Sequence, residues 1–235
     1  MEKNQDSLSD SLGKTLVESD LSDVTTDVLE SLLDKGVFED DLLKDIPIIN
    51  SIIGLGKTVN SVQNYLFTKK ILSFLNGLSK IGQGKRKEII SKIESDSKYN
   101  QTVGSKLLFI LDNAQDHITD KLISKLFIAF IEEKLTYKEF CKSSMIINKT
   151  DYYDLQTFLQ IPDKAYGKNG TEGLGLEEID NFLINAGLCS AETSKVTVDD
   201  QDDWKQSNKF VVQGGETIIY RTLIGTKIYE ILTEN

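Results

Sequence analysis

Apolar residues recur at steps of three and four through much of the chain, which predicts a mainly helical protein. One face of a first helix, begun by Pro47, would carry Ile48, Ile52, Leu55, Val59, Val62 and Leu66. A second helix is predicted from residue 67, with Phe67, Ile71, Phe74, Leu75 and Leu78 inward and Lys69, Lys70, Ser73 and Asn76 outward. The segment GQGKRK then ends this helix.

The same period predicts further helices, and no strand-like alternation appears before residue 195. The predicted ranges are 85–95, 102–113, 117–134 and 136–148, followed by a helix between Asp151 and Pro162. Thr136 and Glu139 form a capping box, and Asp151 is a suitable N-cap. We therefore assign residues 42–160 to a multi-helix bundle.

The C-terminal third, residues 161–235, has a different pattern. A glycine-rich loop leads into the helix LEEIDNFLINAGL, which Gly187 can close in a left-handed conformation. Two short alternating runs, FVV and TIIY, flank the turn-like segment QGGE and predict a β-hairpin. Thr222 can cap a last helix, LIGTKIYEIL. Helix, hairpin and helix in this order indicate a winged-helix-like module.

Charge is distributed unevenly along the chain. Residues 1–41 carry twelve acids against three lysines, whereas residues 46–93 carry eight Lys and Arg against the single acid Glu88. The acidic stretch has a thin apolar rhythm at Leu21, Val24, Val28, Leu32 and Leu33, enough for one amphipathic helix that docks on something else. We interpret it as a partly helical or disordered arm that could shield the basic, apolar segment after it.

This basic, apolar segment is the main candidate for a functional surface. Its apolar stretch, residues 46–55, is too short to span a bilayer, which needs roughly twenty apolar residues. A helix in a membrane interface, or one against a protein partner, would use Ile48, Ile52, Ile53 and Leu55 for apolar contact and Lys57, Lys69, Lys70 and Lys80 for charge attraction. Packing of the same isoleucines in an ordinary core is the alternative that the sequence leaves open.

Other chemistry finds less support in the residues. The segment GLGKT (54–58) is similar to the end of a phosphate-binding loop, but the first required glycine is Ser51 and the apolar face continues through the motif. His117 is the only histidine, so a histidine-based acid–base pair, triad or multi-histidine metal site cannot form. The aspartates at 199, 200, 202 and 203 do not have the spacing of an EF-hand loop. We therefore predict no enzyme, no cofactor and no metal.

Partners and location follow from the same residues. Lys85, Arg86 and Lys87 beside a winged module would suit nucleic acid, but the candidate recognition helix carries Glu177, Glu178 and Asp180, so nucleic acid is disfavoured. A protein partner is predicted, with an anionic membrane surface as the other candidate and the oligomeric state left open. No basic and apolar leader is present at the start, and two cysteines are not a disulfide framework. We expect a cytoplasmic protein that can be peripheral on the inner membrane.

Three segments carry a family resemblance: residues 45–78, residues 122–146 and YRTLIGTKIYEIL at the end. Together they resemble a bacterial abortive-infection alpha-like family of small helical proteins of unknown function, associated with phage defence. Arg221 and Ile224 depart from the pattern, standing where the family often has Leu and Pro. The resemblance implies a context of antiviral defence and no reaction.

These observations lead to one prediction and two alternatives. We predict a non-enzymatic bacterial protein in anti-phage defence, whose segment 46–80 engages a membrane surface or a partner when the acidic arm releases it. The first alternative is a protein–protein adaptor without membrane activity. The second, more distant, is an enzyme that binds nucleotide through Lys57.

Overall fold

The computed structural model is mainly helical, with a small antiparallel β-hairpin near the C-terminus, as predicted. It describes residues 2–22, 24–25, 45–54, 62–95, 102–114, 117–161, 178–200, 210–215 and 217–234. The chain divides into two compact units, residues 1–148 and 149–235. The boundaries predicted from the sequence lie after residues 41 and 160, and the two units meet after residue 148.

Unit 1 is a bundle of helices. Its members are α1 (Glu2–Glu18), α2 (Pro47–Gly54), α3 (Val62–Gly77), α4 (Gln83–Glu94), α5 (Val103–Asp112), α6 (His117–Ile131) and α7 (Tyr137–Lys149), the last of which ends just beyond the unit boundary. The four helices predicted between residues 85 and 148 are confirmed, each end lying within three residues of its predicted position. Pro47 begins α2, as its fixed φ favours.

Parts of the prediction for the first half of the chain are wrong. α3 runs through the break expected between residues 66 and 67. Leu66, predicted on the inward apolar face, is exposed, and Ser73, predicted outward, is buried. α2 is described over Pro47–Gly54, and residues 55–61 of the predicted face lie outside the described part. The sequence also missed α1. Leu21 and Val24 are buried but not helical, while residues 26–44 of the predicted arm lie outside the described part.

Aromatic side chains from three helices form the centre of unit 1. Phe74 of α3, Phe127 and Phe130 of α6 and Tyr137 and Phe140 of α7 meet with ring centroids 5.3 to 6.4 Å apart. The predicted capping box begins α7, since Thr136 N–H donates to Glu139 Oε2 at 2.9 Å and Glu139 N–H donates to Thr136 Oγ1 at 3.3 Å. Large apolar area and a fixed helix start therefore set this part of the fold.

Unit 2 joins three helices to the hairpin. In chain order it contains α8 (Tyr152–Gln160), α9 (Glu178–Ala186), β1 (Cys189–Thr193), β2 (Thr197–Asp200), β3 (Phe210–Gln213), β4 (Thr217–Arg221) and α10 (Leu223–Thr233). Three predicted caps are confirmed: Asp151 accepts from Tyr153 N–H, Thr222 accepts from Gly225 N–H, and Gly187 closes α9 with a φ of 91°.

The hairpin is confirmed, but its strands pair differently from the prediction. β1 pairs with β4 and β2 with β3, both antiparallel, in one shared register: Thr193 stands opposite Thr217 and Thr197 opposite Gln213. FVV and TIIY therefore follow each other on one arm of the hairpin. The segment QGGE interrupts this arm and does not form the hairpin turn that the sequence predicted. Gly214 and Gly215 adopt φ values of 88° and 83° at this interruption. β1 itself lies before residue 195, where no strand was expected.

Arg221 fixes α8 to the rest of unit 2. Its guanidinium carbon lies 3.6 Å from the ring centroid of Tyr229, and its Nη2 donates to Ile161 O at 2.6 Å, just after α8 ends. Phe158 of α8 meets Tyr229 edge-on, with centroids 6.1 Å apart. These contacts explain why the unit boundary precedes α8.

Candidate functional site: the covered isoleucine helix

The apolar part of the predicted surface forms α2, which is buried under α1. Ile48, Ile49 and Ile52 are all buried, and α1 packs along α2. On the α1 side, Leu8, Leu12 and Leu16 are buried at steps of four residues. In this conformation Ile48 and Ile52 are buried, and their predicted role as a surface for a membrane or a partner stays a prediction.

Two polar contacts fix the position of α1 on α2. The hydroxyl of Thr15, which is fully buried, accepts from Ile48 N–H at 3.0 Å and donates to Ser11 O at 2.8 Å. It thereby satisfies one of the N–H groups that the first turn of α2 leaves without a helical partner. Ser11 Oγ and Ser51 Oγ lie 2.5 Å apart, one on each helix. Serine and threonine in α1 thus act as capping and bridging groups for α2.

A close crossing of glycines brings α1 against α5. Gly104 of α5 is buried, and a Cβ placed on it would lie 2.7 Å from Gly13 N and 3.0 Å from Gly13 Cα, and nearer still to Ser9 O. These are backbone atoms of α1, which cannot move without moving the helix. A Cβ on Gly13, by contrast, would lie 4.0 Å from Gly104 Cα, at ordinary contact distance. The crossing therefore requires glycine at position 104 but tolerates a methyl group at position 13.

Side chains of α4 bind the C-terminal end of α1. Arg86, 1% exposed, donates from Nε to Leu16 O at 3.0 Å, from Nη2 to Ser19 O and from Nη1 to Ile81 O. Gln83 Nε2 donates to Glu18 O at 2.6 Å. A cation at this end suits the helix dipole. Burial lowers the pKa of Arg86, and the Asp20 carboxylate partly offsets this effect.

The predicted lysines of the surface are not brought together by the structure. Lys70 donates to the carbonyls of Asp112 and Ala114, so it caps the C-terminal end of α5. Lys69 is half-buried and Lys80 is exposed. The side chain of Ile53, and all of Leu55 and Lys57, lie outside the described part.

The structure describes only part of the other sites proposed from the sequence. Because Arg86 is buried against α1, Lys85, Arg86 and Lys87 are not one exposed basic cluster. The side chains of His117 and of the aspartates at 199 and 200 are outside the described residues, as are positions 55–58 and 201–203. Within the described ranges, no group of three His, Cys, Asp or Glu side chains could hold a metal ion. Among the helices described here, none is long and apolar enough to cross a bilayer.

The residues that sequence reasoning missed are those of α1 and its clamp. Leu8, Leu12 and Leu16 recur at steps of four, which is a helical signal, although serines, acids and Gly13 surround them. No signal in the sequence distinguishes the buried Arg86 from its exposed neighbours Lys85 and Lys87.

Comparison with known proteins does not assign the chain to a family. No protein-family model, curated protein or solved structure matches the chain.

Proposed function

We propose that this is a non-enzymatic interaction protein of a bacterial cell, in which α1 covers α2 until a partner displaces it. The supporting observation is the direct packing of α1 on the isoleucines of α2, together with the Thr15–Ile48 hydrogen bond at 3.0 Å. Displacement would expose Ile48, Ile49 and Ile52. Such a surface suits an anionic membrane interface or an apolar protein partner. The context of phage defence rests only on the sequence resemblance.

A second candidate is an adaptor in which α1 and α2 never separate. The contacts at the far end of α1 favour it, because Arg86 and Gln83 together bind four carbonyls of residues 16–19. Asn76 of α3 also donates to Val24 O at 2.7 Å and holds the chain beyond α1. In that case the isoleucines serve only as core, and partners bind elsewhere on the protein.

A reversible cross-link between α1 and α2 separates the two candidates. The Ser11 and Ser51 oxygens are 2.5 Å apart, close enough for the double variant Ser11→Cys/Ser51→Cys to form a disulfide of about 2.05 Å. Gly104→Ala loosens the cover by its backbone clash, and Gly13→Ala is the matched control. Co-sedimentation with phosphatidylglycerol vesicles measures whether loosening adds binding above the wild-type level.

We expect Gly104→Ala to bind the vesicles more strongly than the wild type and Gly13→Ala to bind equally. Adding the oxidised cross-link to Gly104→Ala should remove the increment, and reduction should restore it. If Gly104→Ala shows faster hydrogen exchange in α1 but no added binding, the covered surface is not a membrane site and the adaptor is favoured.

A further inference from the structure

A different face of unit 1 carries exposed apolar side chains without any cover. Phe109 on α5 is 58% exposed and Met145 on α7 is 44% exposed. The two helices are neighbours, since Asn148 Nδ2 near the end of α7 donates to Ile110 O of α5 at 2.8 Å. Large side chains this exposed lose contact with water only when something binds them.

The geometry places both side chains on the same side of the unit. Lys106 of α5 lies near the Cys141 thiol of α7: burial raises the pKa of Cys141, and the Lys106 ammonium partly offsets the rise. Phe109 follows Lys106 by three residues and Met145 follows Cys141 by four, which is one turn along each helix. Asn148, which reaches Ile110 O, follows Met145 by three residues on α7, and Ile110 follows Phe109 directly, so Phe109 and Met145 both lie near this junction of the two helices.

Lysines surround this apolar pair. The Lys106 ammonium lies 5.3 Å from the centroid of the Phe109 ring. Lys138 and Lys142 are exposed, and their spacing of four residues puts them on the stripe of α7 that contains Met145. We call these five residues the lysine–phenylalanine face: Lys106, Phe109, Lys138, Lys142 and Met145.

Acidic residues border the lysine–phenylalanine face but do not cancel its charge. Glu139 is bound to the N-terminal end of α7, where Oε2 accepts from the amide and hydroxyl of Thr136, both at 2.9 Å. Asp112 is exposed at the far end of α5, one turn beyond Phe109. Among the described residues of this area, three lysines therefore stand against two carboxylates, of which Glu139 is held at the N-terminal end of α7 and Asp112 lies at the far end of α5.

We propose that the lysine–phenylalanine face docks on the surface of an anionic lipid membrane. Near such a surface each lysine strengthens binding by about fivefold, and two projecting apolar side chains can enter the headgroup region. The chain as a whole carries a formal charge of −10, but screening confines its repulsion to about 8 Å at physiological salt. A protein partner shaped as an acidic helix would need a groove, whereas Phe109 and Met145 project as single side chains from helical surfaces.

This docking is independent of the cover over α2, because none of the five residues belongs to α1 or α2. The wild-type protein should bind as it stands, without displacement of α1. The cross-linked Ser11→Cys/Ser51→Cys variant should bind equally well, so failure of this proposal and failure of the covered-helix proposal are distinguishable.

The test is co-sedimentation of the full chain with phosphatidylglycerol vesicles, with phosphatidylcholine vesicles as the neutral control. We expect Lys138→Glu/Lys142→Glu to lower the partition coefficient by roughly 25-fold or more, the value for loss of two lysines. Phe109→Ser/Met145→Ser should weaken binding by about tenfold and leave its salt dependence unchanged. The matched control is Lys85→Glu/Lys87→Glu on α4, which makes the same charge change at exposed lysines away from exposed apolar residues.

Several outcomes would overturn the proposal. Wild-type protein that ignores phosphatidylglycerol vesicles would do so, and so would a control pair that loses as much binding as Lys138→Glu/Lys142→Glu. Loss of binding in the oxidised cross-linked variant would assign the lipid contact to α2 instead. If the wild type ignores vesicles but binds a labelled acidic amphipathic peptide through Phe109 and Met145, the face belongs to a protein partner.

Discussion

Replacing Gly104 by alanine tests the arrangement on which the covered helix depends. The added methyl group would meet Ser9 O and the backbone of Gly13 at distances at or below 3.0 Å, so α1 must move away as a whole. Overpacking of this kind costs about 1–3 kcal/mol. The cost here belongs at the upper end of that range because the atoms met by the methyl group are all backbone atoms of α1. Alanine recovers about 1 kcal/mol of helix propensity. We therefore expect a net loss of about 2 kcal/mol.

The control at the other side of the crossing should change stability in the opposite direction. Gly13→Ala gains the same propensity, and its Cβ meets Gly104 Cα at 4.0 Å, so we expect stabilisation of about 0.5–1 kcal/mol. Urea unfolding measures both free energies, and hydrogen exchange at the amides of residues 12–16 reports α1 by itself. A Gly104→Ala protein that is as stable as the wild type, with unchanged exchange in α1, would refute the close crossing.

Three further predictions concern single charged side chains. Arg86→Met should destabilise the protein by about 3 kcal/mol because it leaves buried carbonyls of α1 without donors, whereas Lys85→Met at the exposed neighbour should change stability by less than about 0.5 kcal/mol in the same urea titration. Arg221→Met should cost about 1–2 kcal/mol through loss of the contact with Tyr229, and Arg221→Lys, which lacks the planar fork, should not fully restore it. The amide of Ser22 holds the pKa of Asp20 below its ordinary value, so this carboxylate stabilises the fold above the unfolded pKa. The stabilisation is lost as the pH falls through the lower, folded pKa. Asp20→Asn should therefore be less stable than the wild type at pH 7, and the difference should shrink in acid titrations of unfolding once the pH falls below the ordinary range of an aspartate.

Local signals in the sequence explain which helices could be predicted. The helices α4, α5 and α7 combine an apolar stripe with a cap or a glycine break, and the Thr136–Glu139 box forms as its spacing requires. α1 has only Leu8, Leu12 and Leu16 at one residue per turn, so packing against α2, α4 and α5 stabilises it instead of its own composition. β1 likewise gains its structure from pairing with β4, which a single strand cannot reveal.

The candidate site depended on information that periodicity does not contain. A run of isoleucines gives the same pattern whether a partner covers it from another molecule or α1 covers it from within the chain. The lysines show the limit most clearly, since Lys70 caps α5 while Lys80 is exposed, and nothing local to either residue predicts the difference. The lysine–phenylalanine face was missed for the same reason: Phe109 belongs to an apolar run whose other members are buried.

The energy of the cover sets a condition on any partner that displaces it. Burial of Leu8, Leu12 and Leu16 contributes about 1.5–3 kcal/mol each, before the hydrogen bonds from Arg86 and Gln83 are counted. For the fraction of molecules with α1 released from α2 to rise from one per cent to ninety-nine per cent, a ligand must favour the released state by about 5.5 kcal/mol. Two or three inserted isoleucines would supply a similar amount, so release requires a partner that contacts most of α2 and not its end alone. A membrane bound at the lysine–phenylalanine face would raise the local concentration of lipid available to α2. The two surfaces should therefore be tested in the same vesicle assay.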